Sequence, residues 1–330
     1  MHGHMLTLKD VHEARDRIHP FIRRTRLEHS TTISDVSGFD VWLKPECMQR
    51  TGSFKIRGAL NCILSLSPEE GGRGIVTASS GNHGQGVACA SKLRGYPAMV
   101  VMPEGGSPAK ADAIRGYGAQ IVFCGTKSED RLALAAKMRD EQGMTMVHPY
   151  DDFYVMAGQG TLGIEILEDL DDVAAVLVPT GGCGLISGVA AAVKEMRPNV
   201  KIIGVEPAGS DSTGRSFQAG KRVRLDVIDT MADGVRASIP GELTFPLVRK
   251  YVDDMVLVSE SSIVEAMKLI LERCKILAEP TGAVATAALL TQGQKNGALP
   301  GSLRGKKIVS LVSGGNVALS QLAEILAGRS

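Results

Sequence analysis

The chain has 330 residues, with 37 Lys and Arg against 36 Asp and Glu for a net charge of +1, and it is 44% hydrophobic and 22% charged. That balance excludes a protein holding nucleic acid through a basic surface, because such affinity rests on clustered Lys and Arg. No apolar run approaches the roughly 20 residues that span a bilayer, and the first ten residues carry no apolar signal core, so the expectation is a soluble, cytoplasmic protein with no membrane partner.

In chain order, short runs rich in Val and Ile are expected as strands: Val41–Leu43, Gly74–Thr77, Ala98–Met102, Ile121–Cys124, Ala174–Val178, Lys201–Val205, Met255–Val258 and Ile308–Val312. Each is too short for a helix and too continuously apolar for a half-exposed strand, which fits a sheet covered on both faces. Segments of helical period lie between them, at Gly84–Leu93, Glu129–Gln142, Ala157–Leu170, Ser262–Cys274 and Ala283–Gln292. The alternation implies a mostly parallel α/β sheet. At about 150 residues per domain the length allows two lobes. With no repeat or Pro-rich linker in the chain, the second lobe is expected as an insertion in the same sheet system. The six cysteines (Cys47, Cys62, Cys89, Cys124, Cys183, Cys274) show no Cys-x-x-Cys pair and are expected as reduced, packed groups.

Glycines cluster at Thr51–Gly58, Ser79–Gly86, Thr180–Gly188 and Ser313–Asn316, each at or shortly after the end of an expected strand. Any one cluster reads equally well as a tight turn, but four in that setting point to one composite pocket beyond the carboxyl ends of a sheet. Within the first lies Thr51-Gly52-Ser53-Phe54-Lys55. A lysine enclosed in a pocket loses its proton more readily and serves as a nucleophile toward an aldehyde; a solvated loop lysine is the competing reading. At Val178-Pro179-Thr180-Gly181-Gly182-Cys183-Gly184-Leu185 a strand runs into glycines and then into a helix beginning near Leu185. Free amides and a positive helix end would converge there, as in a phosphate site. Neither a Walker A loop nor the dinucleotide spacing G-x-G-x-x-G is present. A phosphate held without a lysine, beside a candidate Schiff-base lysine, suggests pyridoxal 5′-phosphate.

Lys44-Pro45-Glu46 with Thr51–Ala59, then Ser79-Ser80-Gly81-Asn82-His83-Gly84-Gln85, the glycine loop, Glu279-Pro280 and Ser313-Gly314-Gly315-Asn316 resemble, in order, the fold-type-II pyridoxal-phosphate enzymes. The match is closest to the serine/threonine dehydratase and serine racemase branch. The resemblance implies a two-lobed, tryptophan-synthase-beta-like α/β fold, with residues 1–51 and 147–330 forming a large cofactor-binding domain and 52–146 a smaller closing one. It also implies a homodimer, no C-terminal regulatory domain and no feedback inhibition by isoleucine.

By the same resemblance, Lys55 carries the cofactor and then acts as base at the substrate Cα, Phe54 lies against the ring, and Asn82 bonds the ring hydroxyl. Gly181, Gly182, Cys183, Gly184 and Leu185 present amides to the phosphate, with the Cys183 side chain pointing away. Glu279 approaches the ring side, and a carboxylate at a helix N-terminus is its competing reading. Ser313 faces the pyridine nitrogen, and a neutral hydroxyl there holds a ring proton much less well than a carboxylate, favouring prompt loss of a β-leaving group. The expected reaction is dehydration and deamination of a small β-hydroxy amino acid, L-threonine or L-serine, to a 2-oxo acid and ammonia.

Substrate contacts are expected from Ser79, Ser80, Gly81, Asn82 and His83, with Arg131 and Ser238, while Ser79 reads equally as a helix cap. Ser80 divides two outcomes. Opposite Lys55 it would complete the two-faced acid-base pair of a racemase, whereas the segments at His148–Asp152 and Ala157–Thr161 look more like dehydratases. Elimination ranks first, with serine racemase or threo-3-hydroxyaspartate dehydratase as alternatives, and a non-catalytic phosphate-binding protein as the reading from another class. Glu206 and Ser210 match the start of the racemase divalent-cation site and are candidate ligands for Mg²⁺ or Ca²⁺. Ser212 stands where that site has an aspartate, which weakens it. His12, His19 and His29 have no metal spacing, and His2 and His4 fall in a terminus expected to be mobile.

Overall fold

A computed structural model describes residues 5–290 and 299–328, so His2, His4 and the end of the helix expected at 283–292 lie outside the described residues. The elements run α1 (Leu8–Ile18), β1 (Glu28–His29), α2 (Thr31–Ser37), β2 (Asp40–Pro45), α3 (Lys55–Ser65), α4 (Pro68–Gly72), β3 (Ile75–Ala78), α5 (Asn82–Arg94), β4 (Ala98–Met102), α6 (Pro108–Gly116), β5 (Gln120–Phe123), α7 (Ser128–Gln142) and β6 (Thr145–Met146). They continue with α8 (Phe153–Asp169), β7 (Val173–Pro179), α9 (Gly184–Met196), β8 (Lys201–Pro207), α10 (Ser212–Ala219), α11 (Thr244–Tyr251), β9 (Asp254–Val258), α12 (Glu260–Cys274), α13 (Pro280–Leu290), β10 (Lys307–Val312) and α14 (Leu319–Leu326).

Among the described residues two sheets form, one of six strands in the order β1-β2-β10-β7-β8-β9 and one of four in the order β5-β4-β3-β6. Every pairing is parallel except β1 with β2. The expected α/β class and strands are therefore present, and the four-stranded sheet falls between β2 and β7 of the larger one.

The large sheet is covered on both faces, and the alternation of side chains along each strand divides the core. Val176, Val178, Val309 and Leu311 pack with Leu162, Ile166 and Val189 of α8 and α9. Ala175, Leu177, Ile308 and Val312 face the other way, against Ile263 and Met267 of α12 and Val284 and Ala288 of α13. Each large aliphatic side chain removed from water in this way contributes about 1.5–3 kcal/mol, which is why continuous Val and Ile runs serve as strands here. The crossing of α8 and α9 needs glycine, since a Cβ on Gly188 would stand 2.2 Å from the Met156 carbonyl oxygen.

The segment expected as a Gly/Ser turn around Lys55 is a turn only as far as Phe54; Lys55 is the first residue of α3. The helix is fixed there by Arg57, which has no solvent exposure. Its Nε and Nη2 donate to Glu46 at 2.8 Å each, and its Nη1 and Nη2 donate to Glu165 of α8 at 2.7 and 2.9 Å. Lys44 Nζ of β2 lies 2.7 Å from Glu165 as well. Burial pushes the Glu165 carboxyl up, but Arg57 and Lys44 outweigh it and hold it below the ordinary range. Its contribution to stability is therefore complete above the usual carboxylate pKa and is lost as pH falls through the lower native value.

Replacing Arg57 by Leu leaves the buried Glu46 carboxylate without a cation and Glu165 with Lys44 alone, and the expected loss is about 3–5 kcal/mol of unfolding free energy, read from the urea midpoint.

Candidate active site

Strand ends converge on a cavity of about 220 Å³ that is lined by residues from both sheet systems. From the large sheet come the loop after β7 and the segment after β10; from the small sheet comes the loop between β3 and α5. The lysine motif is stitched to the β10 segment backbone to backbone. Phe54 N–H donates to the Ser313 carbonyl at 3.1 Å, Gly315 N–H donates to Gly52 at 2.9 Å, and Ser53 bridges Gly314. Gly52 turns the chain at φ +71°, a conformation that favours glycine. Lys55 thereby enters the cavity, with its Nζ donating to the Pro149 carbonyl at 2.7 Å and lying 5.2 Å from the centroid of the Phe54 ring. Burial pushes its pKa down to about 8, so a usable fraction of the amine is neutral near physiological pH.

On the facing wall, Gly181, Gly182, Cys183, Gly184 and Leu185 all line the cavity, and α9 begins at Gly184. The loop is pressed against its surroundings: a Cβ on Gly182 would lie 2.4 Å from the Tyr150 ring, and one on Gly181 would lie 2.7 Å from Val235 Cα. Cys183 adopts φ +73°, where glycine is the easier residue, and its Sγ turns to the Gly181 carbonyl (3.3 Å) and Thr213 Oγ1 (3.2 Å). Among the described residues, no backbone carbonyl accepts the amides of Gly182, Cys183, Gly184 and Leu185. Those amides and the start of α9 suit an anion. A nucleophilic amine on one wall and an anion cradle on the other match the two ends of an aldehyde that carries a phosphate, so these residues fit pyridoxal 5′-phosphate. Ser313 is buried in the same wall, its hydroxyl donating to the Thr281 carbonyl at 3.4 Å.

The loop before α5 divides its tasks. Ser79 Oγ accepts the amides of Gly81 (3.0 Å) and Gly84 (2.9 Å), so its hydroxyl caps the helix. Ser80 lines the cavity beside Asn82 and His83. Asn82 Nδ2 donates to Glu279 Oε1 while its Oδ1 accepts from Asn316 Nδ2 at 2.9 Å. His83 Nε2 contacts the Val147 carbonyl at 3.2 Å, and burial, with Lys55 nearby, pushes its pKa well down, so the imidazole is neutral. Gly81 is packed by Lys110, whose Cδ would meet an added Cβ at 2.2 Å.

Several contacts here were not expected from sequence. Lys110 Nζ of α6 lies 2.7 Å from Asp233 and 3.3 Å from Glu279; burial opposes its charge, but the two carboxylates outweigh it and raise its pKa. Across the mouth, Glu129 Oε1 accepts from Ser238 Oγ at 2.6 Å and from Arg224 Nη1 at 2.9 Å. Arg131, expected to meet substrate, lines the cavity but commits its guanidinium to the Thr126 and Lys127 carbonyls and Ser128 Oγ, each at 3.0 Å. Ser107 and Pro108 could have signalled α6 as a helix start, yet nothing in the sequence pairs Lys110 with residues over 120 positions away.

The residues expected to bind a divalent cation have hydrogen-bond partners within the protein. Both Glu206 oxygens accept amides of α10, from Thr213 at 2.9 Å and Gly214 at 2.7 Å, and Ser210 Oγ donates to the Val235 carbonyl at 3.0 Å. Burial pushes the Glu206 carboxyl up to about 8. Among the described residues, no group of three or more His, Cys, Asp or Glu side chains is placed to hold a metal. In the structure Glu206 thus caps the start of α10.

Residues 18–314 match the family described as pyridoxal-phosphate dependent enzyme. The chain is 44% identical to the L-threonine ammonia-lyase of Thermotoga maritima over 98% of its own length and 78% of that protein. It is 42% identical to the serine racemase of Arabidopsis thaliana over 94% of its own length and 93% of that protein. Its fold superposes on the structure of maize serine racemase with a TM-score of 0.92, at 39% identity and covering 98% of each chain. The chain belongs to the pyridoxal-phosphate dependent enzyme family.

Proposed function

We propose that this enzyme removes water and then ammonia from L-threonine and L-serine to give 2-oxobutanoate and pyruvate. The observation that carries the reading is the placement of the Lys55 amine and the amides of residues 182–185 on facing walls of one cavity. When bound, the cofactor would acidify the substrate Cα–H and accept the resulting charge. Lys55, desolvated and with a pKa near 8, takes that proton. The amides of Asn82 and His83 at the start of α5, which Ser79 does not take, are suited to the substrate carboxylate. Ser313 offers a neutral hydroxyl, so negative charge at Cα is discharged by expelling the β-group.

Arg224 and Lys110 are each met by a carboxylate, and the Arg131 guanidinium is engaged by two carbonyls and Ser128 Oγ, so none of the three is without partners. That favours serine and threonine over 3-hydroxyaspartate. A second reading, serine racemase, is favoured by Ser80, which lines the cavity along with Lys55. The proposal includes residues 52–146 as a lobe that closes over the substrate and expels water. It also includes a cytoplasmic homodimer, carried over from the family resemblance. No helix among the described residues is long and apolar enough to cross a membrane.

Purified enzyme is expected to release 2-oxo acid and ammonia from L-threonine and L-serine faster than D-serine accumulates; D-serine as the main product in a chiral assay would reverse the order of the two readings. Lys55→Ala is expected to lose both the absorbance of the lysine-bound cofactor and the activity. Ser80→Ala should abolish D-serine formation while elimination from the L-substrate persists, and equal loss of both would remove the two-face argument. Because backbone amides hold the phosphate, Cys183→Ala should keep cofactor affinity within about threefold. Gly182→Ala, forced against Tyr150, should weaken it at least about tenfold, or about 1.4 kcal/mol, by equilibrium dialysis.

A further inference from the structure

The amine, the phosphate and the substrate carboxylate each have residues assigned above, but one demand of the elimination does not. A hydroxyl leaving Cβ needs a proton, because the conjugate acid of hydroxide has a pKa of about 15.7. Ser238 cannot supply it, as its hydroxyl donates to Glu129, and Ser79 Oγ is fixed at the start of α5 by the two amides it accepts. Tyr150 is differently placed. Lys55 Nζ donates to the carbonyl of Pro149, so the peptide that receives the lysine leads directly into Tyr150. The ring then crosses the glycine loop, 2.4 Å from where a Gly182 Cβ would stand, and the Tyr150 backbone lies 2.9 Å from where a Gly184 Cβ would stand.

His148 meets that ring edge-on at 4.6 Å between centroids, and its Nδ1 accepts the amides of Tyr150 (3.3 Å) and Asp151 (2.8 Å). The ring is therefore fixed from both sides. It lines the same cavity as Lys55 and Ser80, and among the described residues the phenol oxygen makes no hydrogen bond to protein.

We propose that the Tyr150 hydroxyl is the proton donor to the departing β-hydroxyl, a role that rests on the elimination reading above. Lys55 takes the proton from Cα, and the electron pair of that C–H bond becomes the Cα–Cβ double bond. The Cβ–O bond breaks with its pair on oxygen, and the oxygen takes the phenolic proton and leaves as water. The proton gained by Lys55 returns to the phenolate through solvent, so the step needs no net proton and no redox partner. Burial, with Asp151 adding to it, pushes the phenol up to about 12, so it stays protonated at neutral pH yet remains a stronger acid than water.

Tyr150→Phe keeps the ring and its packing and removes only the donor. In the holoenzyme, kcat/KM for L-serine should fall about 100-fold while that for β-chloro-L-alanine, whose chloride leaves without a proton, stays within about twofold. Cofactor absorbance and melting temperature should match the unmutated enzyme. Equal loss on both substrates, or an unchanged rate with L-serine, would overturn the role of Tyr150. An unmutated enzyme that releases 2-oxo acid from neither substrate would instead overturn the elimination reading, and the proposal with it.

Discussion

Arg57 carries a full charge in a place with no contact with solvent, and every one of its donors is taken: two bonds to Glu46, two to Glu165 and one to Thr161 Oγ1 at 3.1 Å. A guanidinium has five N–H donors, so none is left to destabilise the interior. The consequence is positional. Glu46 follows β2, Glu165 belongs to α8, and Arg57 sits in the first turn of α3, so one side chain ties the carboxyl end of β2 to two helices. On a helix, positions two apart lie about 200° apart around the axis. A face anchored inward by Arg57 therefore turns Lys55 away from that anchor and into the cavity.

The cavity exists because the carboxyl ends of both sheets face it. In an open parallel sheet the strand ends leave amides that need partners, and helix N-termini add to them. Here β7 and β10 of the large sheet and β3 of the small one supply three such ends. The two sheets are held in register by polar contacts between residues far apart in the chain. Asn316 is central among them, since its Nδ2 donates both to Thr51 (2.8 Å) and to Asn82 (2.9 Å). Lys110 adds an ionic tie from α6 to Asp233 and Glu279.

What the sequence made legible follows from the same physics. A strand buried on both faces takes only apolar residues, so Ile308–Val312 and Ala174–Val178 announce themselves. Two-residue strands such as β1 and β6 carry no period and were silent. Lys55 was recognisable by its motif, but its place at the start of a helix was not, because Thr-Gly-Ser reads as a turn and the residues that hold α3 are Glu46 and Glu165. Ser79 was open between cap and substrate contact; two amides at hydrogen-bonding distance assign its hydroxyl to the cap. The cap that Glu206 gives α10 was not legible, because the two amides it accepts leave no mark in the residues around Glu206 itself.

The near-zero net charge fits how the cavity treats ions. Lys110 faces two carboxylates, Arg224 faces Glu129, Arg131 faces carbonyls, and Arg236 donates to the Thr230 carbonyl. The carboxylate-paired cations Lys110 and Arg224 project little field toward a ligand, so charge on a bound molecule is met by amides at helix starts, which act only within the first turn. Such groups suit a phosphate and a single carboxylate held at fixed points. A molecule with a further negative charge would have to break one of the existing pairs to be neutralised. The selectivity proposed for small β-hydroxy amino acids thus comes from cations already spent, more than from any group that recognises the side chain.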